Sequence, residues 1–282
     1  MLIQEVIEGI KRYYGGIGFD GQTIDDQTTR DQILYGDAAQ VCTGIVTTCW
    51  ASAAVIQEAK VKGANLIICH EALFWNHGDR TDWLAETKNE TFLQKKALLD
   101  DGGIVVWRNH DYIHSGIPLD DGSYADGIFY GLIQELGWEA YADRSYHLEV
   151  LLNFSETTVS AIGKELIEKL KLNGAKIIGR LDTKVRKVLI YGHVIGDDNE
   201  LIKRLEQEEI DLLITMELFD FTASEYVEDS SLLLANKAIL TLGHFNTEEP
   251  GMKYMLHYLS EIVGTDIPTY FVQSGDMYHY LT

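Results

Sequence analysis

Along the chain, short runs of consecutive apolar residues alternate with longer stretches whose apolar positions recur every three or four residues. A brief unbroken run fits a strand covered on both faces, whereas the wider spacing marks one buried face of a helix. Residues 2–14 therefore open as a helix, with apolar side chains at 2, 3, 6, 7, 10, 13 and 14, and the Gly- and Asp-rich segment 15–42 is mostly loop. Strands follow at 44–49, 65–69 and 104–109, separated by helices at 51–62 and 88–100 and by a polar loop through Asn76, His77, Gly78, Asp79 and Arg80. A loop over 110–121 and a helix over 126–136 come next. Beyond a middle section of different rhythm, strands at 187–191, 211–216, 238–242 and 269–273 alternate with helices at 198–209, 220–229 and 248–262.

Strands and helices alternating in this way predict an α/β protein with mostly parallel sheets and crossover helices. The middle section has a weakly alternating stretch at 147–154, an amphipathic helix at 158–170 and a short strand at 176–179, which predicts a small inserted α+β unit. The expected domains are a first α/β half at 1–139, the insert at 140–184 and a second α/β half at 185–282. The halves are related in sequence. Asn65–Phe74 matches Asp211–Phe219, with Glu71 on Glu217 and Leu73-Phe74 on Leu218-Phe219. In each half a further apolar strand runs into a histidine with a second polar donor four residues on: His110 and His114 after 104–109, His244 and Glu248 after 238–242. Two related halves facing one shared polar site is the architecture expected.

Strand ends aim side chains into the crevice where open α/β sheets keep their ligands. Imidazole nitrogen and carboxylate oxygen are the donors that suit Zn, Mn, Fe or Co. A lone His or Glu at such a place is more often a hydrogen-bonded structural residue. Five together (His70, Glu71, His114, His244 and Glu248) would be costly to bury without a cation to offset their desolvation. Five donors also exceed what one open catalytic ion takes, so the expectation is two divalent metal ions sharing a bridging Glu. His110 and Glu217 are either extra ligands or groups that orient a ligating histidine. His77 reads as a solvated loop histidine with a proton donor as the alternative, and His147, His257 and His279 have no companions in spacing.

Composition narrows the partners. With 282 residues the chain has room for two domains, at ~100–200 residues each. The net charge of −21, from 44 acidic against 23 basic residues, repels phosphate backbones and anionic membranes, so neither nucleic acid nor a membrane surface is an expected partner. Cys42, Cys49 and Cys69 form no Cys-x-x-Cys motif and lie in or beside apolar stretches, which fits buried reduced thiols in a cytoplasmic protein. The acidic residues within the opening helix do not fit a secretory leader, and no uncharged apolar run reaches the ~18 residues of a membrane span. Cys69 neighbours His70 on a strand and so points the other way, into the core. Gly192-His193-Val194-Ile195-Gly196 follows a strand and opens a helix, but no Lys-Ser/Thr follows. Asp197 and Asp198 cap that helix, and the segment reads as a tight turn.

These motifs together resemble the Nif-three-like family, also filed as the type-two form of GTP cyclohydrolase one, over most of the chain. Where typical members have a strand ending His-His-Pro-Leu-Phe, this chain has His70-Glu71-Ala72-Leu73-Phe74. Their His-Thr-Asn-Leu-Asp is matched by His110-Asp111-Tyr112-Ile113-His114, and their Thr-Gly-Glu by Thr215-Met216-Glu217. The most specific match is Gly-His-x-x-x-Glu, here Gly243-His244 through Glu248. The resemblance implies two α/β halves around a dinuclear metal site, an inserted domain and a homo-oligomer, commonly a hexameric ring. It carries the ligand set onto His70, Glu71, His114, His244 and Glu248, with two exchanges: Glu71 replaces a His and His114 replaces an Asp. Three imidazoles and two carboxylates remain. The function expected is a metal-dependent hydrolase of a small molecule, the family label pointing to GTP. The alternative is a non-catalytic metal-binding or regulatory scaffold.

Overall fold

The computed structural model describes residues 1–143, 146–196 and 198–281. The chain forms two compact units, Met1–Gly131 with Gly251–Ser274, and Leu132–Pro250 with Gly275–Thr282. In chain order the first unit holds helix α1 (Ile3–Tyr13), strands β1 (Ile33–Tyr35) and β2 (Ile45–Thr48), α2 (Ala53–Val61), β3 (Leu66–Cys69), α3 (Asp82–Glu86), α4 (Glu90–Gly102), β4 (Val105–Arg108), α5 (Asp111–His114), and the paired strands β5 (Ile117–Pro118) and β6 (Tyr124–Ala125). Helix α6 (Gly127–Leu136) leads to the second unit, with β7 (Glu149–Thr158), α7 (Val159–Leu170), β8 (Lys176–Gly179), β9 (Lys184–Val194), α8 (Asn199–Gln207), β10 (Leu212–Leu218), α9 (Ala223–Leu234) and β11 (Ala238–Thr241). Helix α10 (His244–Tyr254) leads back to the first, which is completed by α11 (Leu256–Val263) and β12 (Thr269–Phe271).

The sheet of the first unit has the order β1-β4-β3-β2-β12, parallel except for β1. Every residue of β2, β3 and β4 is buried, as unbroken apolar runs require when helices cover both faces. Val46, Ile67 and Val106 share one core with Val55, Ile56 and Ala59 of α2 and with Phe92 and Leu99 of α4. Ser52 and Asn89 start those helices, their side-chain oxygens accepting from the N–H of Val55 and Phe92 at 3.2 and 2.9 Å.

The second unit's sheet has the order β7-β9-β10-β11-β8, with β9, β10 and β11 parallel and both edge strands antiparallel. Leu189, Leu213 and Ile239 pack on Leu201 and Leu205 of α8 and on Ala223 and Val227 of α9. The two mostly parallel α/β sheets are those expected from the alternating pattern. Among the described residues, no helix is long and apolar enough to cross a membrane.

Three expectations need correction. Segment 140–184 is not a separate insert: β7 and β8 pair with β9 and β11 and form the two edges of the second sheet. Their backbone groups find partners on the outer parallel strands, and Val159, Ile162 and Leu166 of α7 are buried. Residues 269–273 do not extend the second half, because β12 pairs in parallel with β2 and takes α11 into the first unit with it. Finally, 110–121 is not all loop, whereas 15–42 is mostly loop as expected, with β1 as its short strand. The first segment holds β1 and the second α5 and β5, elements of two to four residues and thus too short to show a period.

Gly251 of α10 lies against the backbone of α6, where an added Cβ would come within 2.5 Å of Ile128 Cα. Gly251→Ala is therefore expected to lower stability by ~1–3 kcal/mol, since backbone cannot give way as a flexible side chain does. At Gly163 of α7 the nearest atom would be 3.6 Å away, and Gly163→Ala should gain ~0.4–1 kcal/mol instead. Urea unfolding midpoints of the two variants check the opposite signs.

Candidate metal centres

In the first unit the carboxyl ends of β3 and β4 meet. The N–H groups of His70 and Glu71 both donate to the Cys49 carbonyl, at 2.9 and 2.8 Å, and Asn109 N–H donates to the Cys69 carbonyl at 2.8 Å. The fully buried His70 ring holds Nδ1 3.0 Å from the Asn109 carbonyl oxygen. His110 Nδ1 lies 2.9 Å from Asp111 Oδ1, and His114 Nδ1 lies 2.7 Å from Asp126 Oδ2. A carbonyl or a carboxylate can only accept, so each Nδ1 carries a proton, and in a neutral ring the lone pair is then on Nε2. The rings of His70 and His110 stack with centroids 4.6 Å apart, and His114 stands edge-on to both at 5.0 Å. Each residue offers a ring nitrogen, and these atoms all lie within 4.8 Å of one another. Burial drives the His110 pKa down to about 2, helped by His70, His114 and Arg108 and opposed by Asp111.

Two aspartates that sequence reasoning missed hold this cluster. Buried Asp31 accepts the N–H groups of His110, Asp111 and Tyr112 at 2.9, 2.7 and 3.3 Å and so fixes the start of α5. Asp126 accepts the N–H of Ile128 at 2.9 Å through Oδ1 while Oδ2 faces His114. Asp126 carried a sequence signal, as an Asp opening a helix. Asp31 carried none, because it lies about eighty positions from its partners.

Glu71 is held by Arg108, whose side chain is 0% exposed. Arg108 donates to Glu71 Oε2 at 3.3 Å, to Asp79 Oδ2 at 2.8 Å and to the carbonyls of His70 and His77 at 3.0 and 2.9 Å. His77 is not merely solvated: it accepts from Arg30 Nε at 2.9 Å, and its Nδ1 lies 3.6 Å from Glu71 Oε2. Cys69 points into the core as expected, with its thiol pushed up to about 12 by burial.

In the second unit β10 and β11 end together, with Leu242 and Gly243 N–H donating to the carbonyls of Thr215 and Met216 at 3.0 and 3.2 Å. Gly243 turns the chain into α10 at φ +104°, a conformation that favours glycine, and His244 and Glu248 then lie one helical turn apart. His244 Nδ1 is 2.8 Å from Glu217 Oε1, and its Nε2 is 3.1 Å from Glu248 Oε1. Glu217 Oε2 lies 2.6 Å from His193 Nδ1, the two residues being register partners on β10 and β9. His193, Glu217 and His244 form a second group that could hold an ion. His193 was missed, although a polar residue closing a long apolar strand was a legible signal. Burial opposes a charge on His244, but Glu217 and Glu248 outweigh it and raise its pKa to about 11. Bonds from His193 and His244 hold Glu217 down at about 2. Nearby, Asp198 is the cap residue of α8, but its carboxylate accepts from Thr222 Oγ1 at 2.9 Å, not from its own helix. Asp197 lies outside the described residues.

Cavities adjoin both groups. One of about 430 Å³ reaches His114 past Phe19, Asp20, Asp25, Arg30 and Asp111. In the second unit a cavity of about 670 Å³ reaches Glu217 between Lys176, Ile195, Phe219, Tyr278 and Tyr280.

Residues 31–276 match the family described as Duf34/NIF3 (NGG1p interacting factor 3). The chain belongs to the Duf34/NIF3 family. It is 23% identical over 237 residues to a Clostridium acetobutylicum protein named GTP cyclohydrolase 1 type 2 homolog, covering 79% of this chain and 78% of that one. The fold is similar to the crystal structure of Staphylococcus aureus hypothetical protein SA1388, at a TM-score of 0.69 and 17% identity over 100% of this chain and 99% of that one. The Bacillus cereus protein related to NIF3 is similar at a TM-score of 0.68 and 14% identity, over 100% and 99% of the two chains.

Two outcomes follow for the metal-free protein. With its pKa raised above 6.5, the His244 imidazolium stabilises the fold fully below that pH, and the contribution fades as pH climbs toward 11. The depressed Glu217 adds its share above 4.5 and loses it as pH falls toward 2. The stability gap between the chain and His244→Phe, read by urea unfolding in chelator, should be widest between pH 4.5 and 6.5 and narrow steadily above. Arg108→Met should cost ~3–5 kcal/mol by leaving the buried Glu71 and part-buried Asp79 carboxylates uncompensated, and adding Glu71→Gln with Asp79→Asn should recover part of it.

Proposed function

We propose that this chain binds two divalent metal ions of the Zn, Mn, Fe or Co kind and is a metal-dependent hydrolase of a small molecule. Its ligands are His70, Glu71 and His114 from the first unit and His244 and Glu248 from the second, with His110 and Glu217 beside them. The observation that carries the reading is the hydrogen-bonded state of the first unit's imidazoles. Each spends its Nδ1 on a fixed acceptor and turns Nε2 the other way, the arrangement in which an outer carboxylate or carbonyl orients a metal-ligating histidine. The second unit's donors fit in another way. His244 sits between two carboxylates as a cation, and carboxylates that hold a proton there also attract a divalent ion, with release of that proton.

A bound ion supplies hydroxide at neutral pH by lowering the pKa of water from 15.7 to about 7. The chain's own groups then orient and exchange protons. Arg108 fixes the Glu71 carboxylate, and His77, tied to Arg30 and more than half exposed, stands 3.6 Å from it as a group able to pass a proton to solvent. The Clostridium relative's name suggests GTP as substrate. The cavity linings favour a less charged molecule, since Arg30 stands among Asp20, Asp25 and Asp111, and Lys176 stands beside Glu217 and Asp220. Self-association belongs to the same reading. Consecutive Leu232, Leu233 and Leu234 at the end of α9 are 73%, 80% and 66% exposed, which supports an interface between copies, and the family resemblance suggests a ring.

Elemental analysis of protein purified without chelator should return close to two ions per chain, and His244→Ala or Glu248→Ala should each lower it with an unchanged circular dichroism spectrum. Metal-loaded protein should hydrolyse a member of a panel of small esters, amides and ring amidines, and Glu71→Gln should abolish that turnover. Absence of bound metal after reconstitution with each of the four ions would sink the reading. Two ions with no turnover would leave the scaffold in its place.

A further inference from the structure

Beyond the carboxyl ends of β9, β10 and β11, the place where open α/β sheets hold their ligands, the second unit has an aromatic-walled cavity. Its volume of about 670 Å³ falls within the ~300–1,000 Å³ of small-molecule sites. Ile177, Ile195, Phe219, Tyr278 and Tyr280 line it and are all exposed, a concentration of apolar surface that marks a binding site. We propose that this cavity binds a small planar aromatic molecule carrying one carboxylate, with its ring against Tyr278 and Tyr280 and its carboxylate on Lys176. The site goes beyond the metal reading above and needs no bound ion.

The aromatic wall is built by the segment 275–281, which Asn173 holds. Asn173 N–H donates to Asp276 Oδ2 at 2.9 Å and its Nδ2 donates to the Tyr278 carbonyl at 2.7 Å, so the segment is tied to the turn between α7 and β8. Gly174 in that turn lets Tyr280 come close, because an added Cβ would lie 2.7 Å from the ring's Cε2. The Tyr278 ring approaches the turn at Gly243, where an added Cβ would lie 3.3 Å from its Cε2. Rings held in this way are ordered before a ligand arrives, and little side-chain freedom is lost on binding.

Charge selects the other end of the ligand. Among the described residues Lys176 pairs with no carboxylate, and its Nζ lies 5.7 Å from the Tyr278 ring centroid. Both oxygens of Glu217 are engaged, by His193 at 2.6 Å and by His244 at 2.8 Å. Asp220 is exposed, where solvent and salt screen it. One free ammonium matches one carboxylate, whereas a phosphate, with about twice the charge, would be left partly unmatched.

The test is a fluorescence titration of the full chain in chelator with 2-naphthoate and with its neutral analogue 2-naphthamide. The unaltered chain should bind both saturably, the carboxylate more tightly. Lys176→Met should weaken 2-naphthoate ~2–5-fold, the range of a part-exposed ion pair, and leave 2-naphthamide unchanged. Tyr278→Leu should weaken both probes ~2–10-fold through the lost ring contact, and Tyr278→Phe, which keeps the ring, should retain them and so guards against a folding artefact. Gly174→Ala, which displaces Tyr280, should also weaken both. Decahydro-2-naphthoate, with the same charge and skeleton but no flat ring, should bind less tightly than 2-naphthoate. Equal affinity for the two naphthalene probes, or an equal loss of both in Lys176→Met, would overturn the carboxylate assignment. Undiminished binding in Tyr278→Leu and Gly174→Ala would overturn the cavity as the site. Absence of saturable binding would overturn it too, and altered sedimentation of Phe219→Asp would then give this face to a second copy of the chain. The chelator keeps every one of these outcomes separate from the metal reading.

Discussion

Burial of the central strands on both faces is the constraint on which the rest depends. Residues of β3 and β4 are fully enclosed, and the matching strands of the second unit, β10 and β11, are buried over most of their length. A strand enclosed in this way favours apolar side chains along its span, so the ionisable donors collect at the carboxyl ends: His70 and Glu71 after β3, His110 after β4, Glu217 near the end of β10, His244 after β11. The same crowding holds them in place. His70 and Glu71 share one carbonyl acceptor at Cys49, so neither backbone can shift without freeing a buried N–H.

The two units balance charge differently at these ends. In the first, burial disfavours a charge on His110, with His70, His114 and Arg108 acting the same way, and the Glu71 carboxylate nearby is matched by Arg108, a permanent cation. In the second, the carboxylates of Glu217 and Glu248 are matched by His244, a cation that proton loss or a competing ion can remove. An ion entering the second group would therefore have to displace the His244 proton, a cost that burial of His110 spares in the first. Affinity at the second group should depend on pH more steeply for that reason.

The long-range order of the fold was legible because strands of four or more apolar residues and helices of nine or more carry clear periods. The same signal singled out His70, Glu71, His244 and Glu248 as candidate donors, because each stands at or just beyond the end of a strand. Pairing was not. The edges β7 and β8, the antiparallel β1 and the return of β12 to the first sheet are set by which backbone edges remain open, which no local pattern records. The supporting contacts were hidden for the same reason: Asp31 and Arg108 reach their partners through tertiary packing, and the contact of His193 with Glu217 exists only once β9 and β10 are in register.

The exchanged positions acquire a physical meaning from these partners. Reading Glu71 and His114 as a swap that conserves ligand count treats the donors as interchangeable, but each has its own support. Glu71 is a tolerable replacement for an imidazole because Arg108 is already enclosed at that point and a carboxylate matches it, whereas an imidazole would not. His114 is a tolerable replacement for a carboxylate because Asp126 stands 2.7 Å behind its Nδ1, so negative charge is retained one ring further out. An imidazole polarised by a carboxylate is a stronger base than an imidazole alone. In this chain, groups outside the motif, Arg108 and Asp126, thus set the charge around Glu71 and His114.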